Sequence, residues 1–282
     1  MQPRNIILTG ASYGIGECIA RAIAARPTNL LLVARSEPAL ARLAKELRRR
    51  DGKVAIAAID LSGRGAAGQV AAAAAAELGS VDVLVNNAAV ELQRRFHTLD
   101  TDEIEGVIRV DLITPIELSH LLLPGMLERG YGRIINISSI AGRIGFPHTE
   151  PYAASKDGLI AFSRVLRNDY RRAGVSASAI VLGAVKDAGI GQRTIDELEL
   201  KTNTAFMVTP EKVARSVVRA IDKDKAEIVV MPGPGRLLKA LLDLFPSLGS
   251  AMNRLSGSER VMALVADQRE ARHTATLNSE TA

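Results

Sequence analysis

The sequence predicts a doubly wound α/β fold, about seven parallel strands with helices on both faces. Three observations point there. Short apolar runs alternate with longer helical stretches along most of the chain. The runs are rich in Ile, Leu and Val without strict apolar–polar alternation, as expected for strands covered on both faces. A glycine-spaced turn, "TGASYGIGE" at 9–17, joins the first run to the first helical stretch.

In order, the strand candidates are 5–9, 29–34, 53–59, 81–86, 132–138, 175–182 and 226–231. Helices are expected over 15–25, 38–50, 64–78, 101–129, 151–172 and 210–222. Residues 71–76 are all alanine and fall inside a helical pattern, so they read as helix and not as linker. Right-handed crossovers place the C-terminal ends of the strands along one edge, where ligands bind. Residues 1–234 therefore read as one domain. Residues 235–245 carry leucines at helical spacing up to Pro246, and a second short helix is expected before Gly257, giving an extension over 235–256. Beyond it only 261–265 is apolar, and 257–282 reads as a frayed, flexible tail.

Composition narrows the function classes. Cys18 is the single cysteine, which excludes an intrachain disulfide and cysteine-rich metal sites and suits a reducing, cytoplasmic setting. The four histidines lack ligand spacing. The net charge of +5 admits anionic partners, but the densest basic run, 42–50, reads as the solvated end of an amphipathic helix, and no aromatic-interleaved patch suits nucleic acid. No apolar stretch approaches the roughly 20 residues of a membrane span, and the apolar part of "MQPRNIILTGA" is too short for a leader.

The 9–17 turn has chemistry of its own. Gly10, Gly14 and Gly16 permit a tight turn and close backbone approach to a ligand. Free N–H groups at the start of the following helix suit an anion such as a pyrophosphate.

Further motifs follow in order: "DL" at 60–61, "NNAA" at 86–89, "NISS" at 136–139 and "YAASK" at 152–156. Together with the glycine turn they resemble the short-chain dehydrogenase/reductase family over about residues 3–232. The resemblance implies a Rossmann-type fold, a nicotinamide dinucleotide, hydride transfer between alcohols and carbonyls, and a homodimer or homotetramer paired through the helices near 101–129 and 151–172. It implies that Gly10, Ser12, Tyr13, Gly14, Ile15 and Gly16 hold the pyrophosphate end, that Asp60 and Leu61 meet the adenine, that Asn87 and Ala88 line the adenosine side, and that Gly183 and Val185 border the nicotinamide. Ser139, Tyr152 and Lys156 match the catalytic serine, tyrosine and lysine, with Asp111 at the place of a supporting asparagine.

The residue types suit that chemistry. Tyr152 and Lys156 share a helical face. A free phenol has a pKa of about 10, and a neighbouring ammonium is expected to lower it. Tyr152 would then act as general acid/base, with Ser139 polarising the carbonyl and Lys156 also holding the nicotinamide ribose. After the second predicted strand come Arg35 and Ser36 where an NAD enzyme carries an acid, and an arginine there suits the 2′-phosphate of NADP. Glu37 opposes that reading unless it belongs to the first turn of the next helix, with Ser36 as cap.

The chain departs from the family pattern at Asp111, at Leu182 and Asp187 after the sixth strand, and at Ala89. Asp111 is expected to stabilise protonated Lys156, and Asp187 needs a cation such as Lys186 beside it. The loop around 184–209 is expected to form a substrate lid, opposite Val90, Ile140, Ile144 and Phe146, with Arg143 and His148 nearby. The leading reading is an NADP-dependent oxidoreductase for a hydrophobic ketone, aldehyde or secondary alcohol. The departures motivate an alternative, a non-catalytic dinucleotide sensor. Residues 235–255 either pack on the domain or a second subunit, or rest on a membrane surface through Leu237, Leu241, Leu244, Phe245 and Leu248.

Overall fold

Seven strands, β1 (Arg4–Thr9), β2 (Thr28–Ala34), β3 (Val54–Ala58), β4 (Val83–Asn86), β5 (Gly132–Ser139), β6 (Val175–Leu182) and β7 (Glu227–Val230), form one sheet in a computed structural model of the chain. The structure describes residues 4–48, 52–188, 194 and 207–280. All pairings are parallel, in the order β3-β2-β1-β4-β5-β6-β7. The chain runs outward from β1 to β3 and then returns to the other side of β1 as β4. The order reverses between β1 and β4, so a crevice opens at their C-terminal ends.

Helices cover both faces. One layer holds α1 (Ile15–Ala24), α2 (Glu37–Leu47) and α8 (Pro210–Lys223), whose Ile19, Leu40, Leu43 and Val217 pack on Leu8, Leu30 and Leu32. The other holds α3 (Ala66–Leu78), α5 (Thr114–Glu128) and α7 (Glu150–Tyr170), with Val70, Leu118, Met126 and Leu166 against Ile7, Leu31 and Leu84. Neighbouring residues of one strand thus enter opposite cores, which is why the runs lack alternation. Each such fully buried Leu or Ile contributes about 1.5–3 kcal/mol. Local signals place the helix starts. The Ser36 hydroxyl caps α2 by accepting from Ala39 N, which makes Glu37 its first residue. Asp100 and Glu103 form a capping box at α4 (Thr101–Ile108), and Thr209 caps α8 ahead of Pro210.

Two readings of the sequence are corrected. The stretch expected as one helix over 101–129 is interrupted by a π-helical segment, Arg109–Ile113, which joins α4 to α5 and contains Asp111. Such wide turns concentrate at functional sites. The expected tail is instead a helix, α11 (Ser258–Glu280), anchored by buried Val265 and Ala266 and by the Arg95–Glu270 ion pair. Its polar face pairs with partners remote in sequence, so the weak apolar pattern understated it.

The extension forms α9 (Gly235–Leu244) and α10 (Ser247–Ser256). Leu238, Leu242, Leu248 and Met252 pack on a satellite core around α6 (Ala141–Ile144). Leu248 is therefore turned inward, away from any membrane-facing set. Leu237, Leu241, Leu244 and Phe245 remain exposed. Among the described residues no helix is long and apolar enough to cross a membrane.

Candidate active site

The glycine turn sits between β1 and α1, at the mouth of the crevice. Gly10 and Gly14 have φ of 67° and 61°, which favours glycine. A Cβ on Gly16 would lie 2.0 Å from the Gly10 carbonyl oxygen, so the turn closes on itself only without side chains. The α1 N-terminus has no side-chain cap, leaving its N–H donors directed into the crevice. A cleft of about 350 Å³ opens here between Gly14, Cys18, Lys186, Asp187, Thr209 and Glu211. Open donors and an uncrowded backbone fit the pyrophosphate of a dinucleotide.

Asn87 braces this turn. Its Nδ2 donates to the Thr9 and Gly10 carbonyls at 3.0 and 3.1 Å, while the Asn87 and Ala88 N–H groups donate to Thr9 Oγ1. Ser12, Tyr13 and Ile15 lie in the same turn, Ser12 and Ile15 half-buried and Tyr13 exposed. Arg35 and Ser36 follow β2 at the same edge, both exposed. Asp60 is exposed, and Ser62 donates to its Oδ1 through backbone N–H and hydroxyl at 2.9 and 2.8 Å. Chiefly that N–H, with Arg35 as a minor contributor, holds the carboxyl below its usual range. Leu61 is buried, its carbonyl accepting from Thr114 Oγ1.

After β6, Gly183 passes so close to Met231 that a Cβ would come within 2.9 Å of it. Val185 then bridges to Val208, and Asp187 takes a left-handed conformation with φ 59°. Lys186 Nζ stands 4.0 Å from the exposed Asp187 carboxylate, supplying the cation the sequence reading required. The rest of the expected lid lies outside the described residues apart from Thr194, 207, 208 and 209.

The three residues of the expected catalytic set lie at the C-terminal end of β5 and in the first turns of α7. Ser139 ends β5 and its Oγ accepts from Ala141 N at 3.1 Å, with Tyr152 near enough for the hydroxyl to act on its phenol. Tyr152 and Lys156 stand one turn apart at the start of α7. Lys156 Nζ lies 5.4 Å from the Tyr152 ring centre, 3.4 Å from the Ile137 carbonyl and 3.0 Å from Asp111 Oδ2. Asp111 is fully buried, and its Oδ1 accepts from Val90 N at 2.8 Å. Burial pushes the Asp111 carboxyl up, against the opposing pull of Lys156 and that N–H.

The expected sign of the tyrosine shift is reversed. Tyr152 is held above its ordinary value, first by burial, then by the negative charges of Glu91 and Asp111, with only the Ser139 hydrogen bond opposing. Burial is the main physical reason, and the ion pair adds to it, because Asp111 offsets the Lys156 charge that was expected to lower the phenol. Glu91 is absent from the sequence reading. It stands two positions after "NNAA", beyond Val90, and a carboxylate so close to that motif was the available signal.

Other pocket residues prove structural. Ile140 and Ile144 are committed to the satellite core, and Arg143 pairs with Asp157 and Asp243 at 2.8 and 3.3 Å. His148 adopts a left-handed conformation, φ 62°, in the loop before α7.

Comparison with known proteins agrees with the fold. The short chain dehydrogenase family model matches residues 4–199. The chain is 34% identical over 246 residues to the ketoacyl reductase HetN of a Nostoc species, covering 87% of this chain and 84% of the relative. It is 31% identical to dehydrogenase/reductase SDR family member 7B of Bos taurus, covering 86% and 78%. A metagenomic short-chain oxidoreductase solved in complex with NADP is similar with a TM-score of 0.70 at 29% identity, covering 83% of this chain and 99% of that one.

Proposed function

The chain belongs to the short-chain dehydrogenase family and is a nicotinamide-dependent oxidoreductase acting on CH–OH groups, and we propose that it reduces a hydrophobic ketone with NADPH. An oxidoreductase assignment displaces the sensor reading. The observation that carries the proposal is the cluster of Ser139, Tyr152, Lys156 and Asp111, with Lys156 Nζ 5.4 Å from the Tyr152 ring centre and 3.0 Å from Asp111 Oδ2.

The dinucleotide, when bound, supplies the hydride. Gly10, Gly14, Gly16 and the open α1 N-terminus would hold its pyrophosphate, and Arg35 its 2′-phosphate. Glu37 belongs to the first turn of α2, so it does not occupy the place of a ribose-binding acid, which supports NADP over NAD. The NADP complex of the similar metagenomic oxidoreductase supports the same choice.

Ser139 donates to the substrate oxygen and fixes it against Tyr152. Tyr152 then gives its proton to that oxygen. Burial and two nearby carboxylates keep Tyr152 in the phenol form, the state from which it can give a proton. Lys156, pinned by Asp111, meets the phenolate as it forms. The name of the Nostoc relative supports a ketoacyl-type substrate. Exposed Leu121 on α5 and Val165 on α7 support pairing of two copies through these helices.

The test is a panel of ketones, including 3-ketoacyl thioesters, with NADPH and NADH, read by cofactor absorbance. Tyr152→Phe is expected to lower kcat at least 100-fold. Activity surviving within a few-fold would remove Tyr152 from its role.

A further inference from the structure

The segment after β4 is fastened from two sides. At its start, Val90 N is bound to Asp111. Further on, Arg95 donates to Glu270 of α11 through its backbone N–H and through Nη1, at 3.1 and 2.9 Å. Between these points Arg269 of α11 spans a gap. Its Nη1 donates to the Glu91 carbonyl at 3.3 Å and its Nη2 to Thr194 Oγ1 at 2.8 Å. Thr194 Oγ1 in turn donates to Gln93 Oε1 at 3.0 Å. Thr194 and Gln93 are both buried, at 3% and 4% exposure. A buried polar chain of this kind fixes geometry, because each broken link strands an unpaired group.

Glu91 sits in the middle of the clamped segment. Among the described residues its carboxyl feels the charges of Arg269 from α11, Asp111 from the π-helical segment and Lys156 from α7, interacts with Gln93 of its own segment, and acts in turn on Tyr152. Burial pushes its carboxyl up to about 7, with Arg269 opposing and Asp111 adding to the rise.

We propose that Arg269 is a positioning residue: it holds the Glu91–Gln93 wall to α11 and Thr194, so that the Glu91 carboxylate is kept as a second ionisable group acting on Tyr152. This rests on the reading of Tyr152 as the proton donor. Glu91, once ionised, opposes the negative charge that develops on Tyr152 during reduction, so reduction slows as pH rises through its midpoint. A helix that ends the chain thereby sets the pH range of the reaction.

The test uses the full chain with 13Cδ-labelled glutamate, titrated by NMR from pH 5 to 9. The Glu91 resonance is assigned by its loss in Glu91→Gln. Its midpoint is expected at about 7 in the native protein, higher in Arg269→Met, and closer to the native value in Arg269→Lys. A native midpoint in the ordinary range, about 4.3, overturns the proposal, as does an unchanged midpoint in Arg269→Met. These readouts need no turnover, so they are independent of whether Tyr152→Phe abolishes activity. In the kinetic arm, NADPH-driven reduction is expected to show a limb near the Glu91 midpoint that Glu91→Gln removes. Arg269→Met is expected to shift that limb and to raise KM for the carbonyl substrate more than for NADPH. A profile unmoved by both variants, with only thermal stability altered, overturns the positioning role. If Arg269→Met fails to fold, Arg269→Lys and Glu91→Gln decide the same question.

Discussion

Replacing Asp111 by Asn removes one charge from the centre of the site and keeps its shape. The asparagine side chain retains an oxygen for the Val90 N–H, whose bond to Asp111 is 2.8 Å. What changes is the field at Tyr152. Lys156 Nζ lies 5.4 Å from the ring, and Asp111 at 3.0 Å from that ammonium cancels much of its effect. A unit charge at 5.4 Å in an effective dielectric of about 20 is worth about 3 kcal/mol, or roughly two pKa units. Loss of Asp111's own repulsion adds in the same direction. The Tyr152 pKa is therefore expected to fall by about one to two units. The assay is kcat/KM for alcohol oxidation against pH, which reports the free enzyme's essential base. Its acid limb should move to lower pH by that amount. The unpaired buried ammonium should also destabilise the fold by about 3–5 kcal/mol, so rates are taken well below the melting transition. An acid limb that stays in place in Asp111→Asn would refute the view that the ion pair sets the tyrosine.

Three other expectations are independent of it. Gly16→Ala places a Cβ 2.0 Å from the Gly10 carbonyl oxygen, which should open the turn, cost about 1–3 kcal/mol and weaken NADPH binding at least ~10-fold by calorimetry. Arg35→Asp should reverse the NADPH over NADH preference in kcat/KM, and an unchanged ratio would remove Arg35 from the 2′-phosphate site. Asp224, where burial is outweighed by Arg167 and Ser176, has its carboxyl held below the usual range. Its stabilisation is thus present above the unfolded carboxylate pKa, about 3.9, and is lost as pH falls through the lowered folded value. Asp224→Asn should cost about 1.5–3 kcal/mol at pH 7, and the difference in Tm from the native chain should shrink below about pH 4.

The fold was legible because its signals are short-range. The parallel strands announce themselves as apolar runs buried on both faces, and 175–182 coincides with β6 residue for residue. Ser36, Asp100 and Thr209 mark helix starts within one turn of themselves. The glycine turn and the one-turn spacing of Tyr152 and Lys156 are local in the same sense. The break at Arg109–Ile113 was illegible because π and α turns share one apolar period over so few residues.

The sequence by itself determined the sheet and the glycine turn, because periodicity, caps and glycine conformations act over a few residues. Only the tertiary structure decided the electrostatics. The direction of the Tyr152 shift is a sum over charges from the wall after β4, the π-helical segment and α7, and burial decides how strongly each is felt. The role of α11 was hidden for the same reason. Its contact with the wall joins Glu91 to Arg269 across 178 positions, and no local pattern encodes a hydrogen bond over that separation.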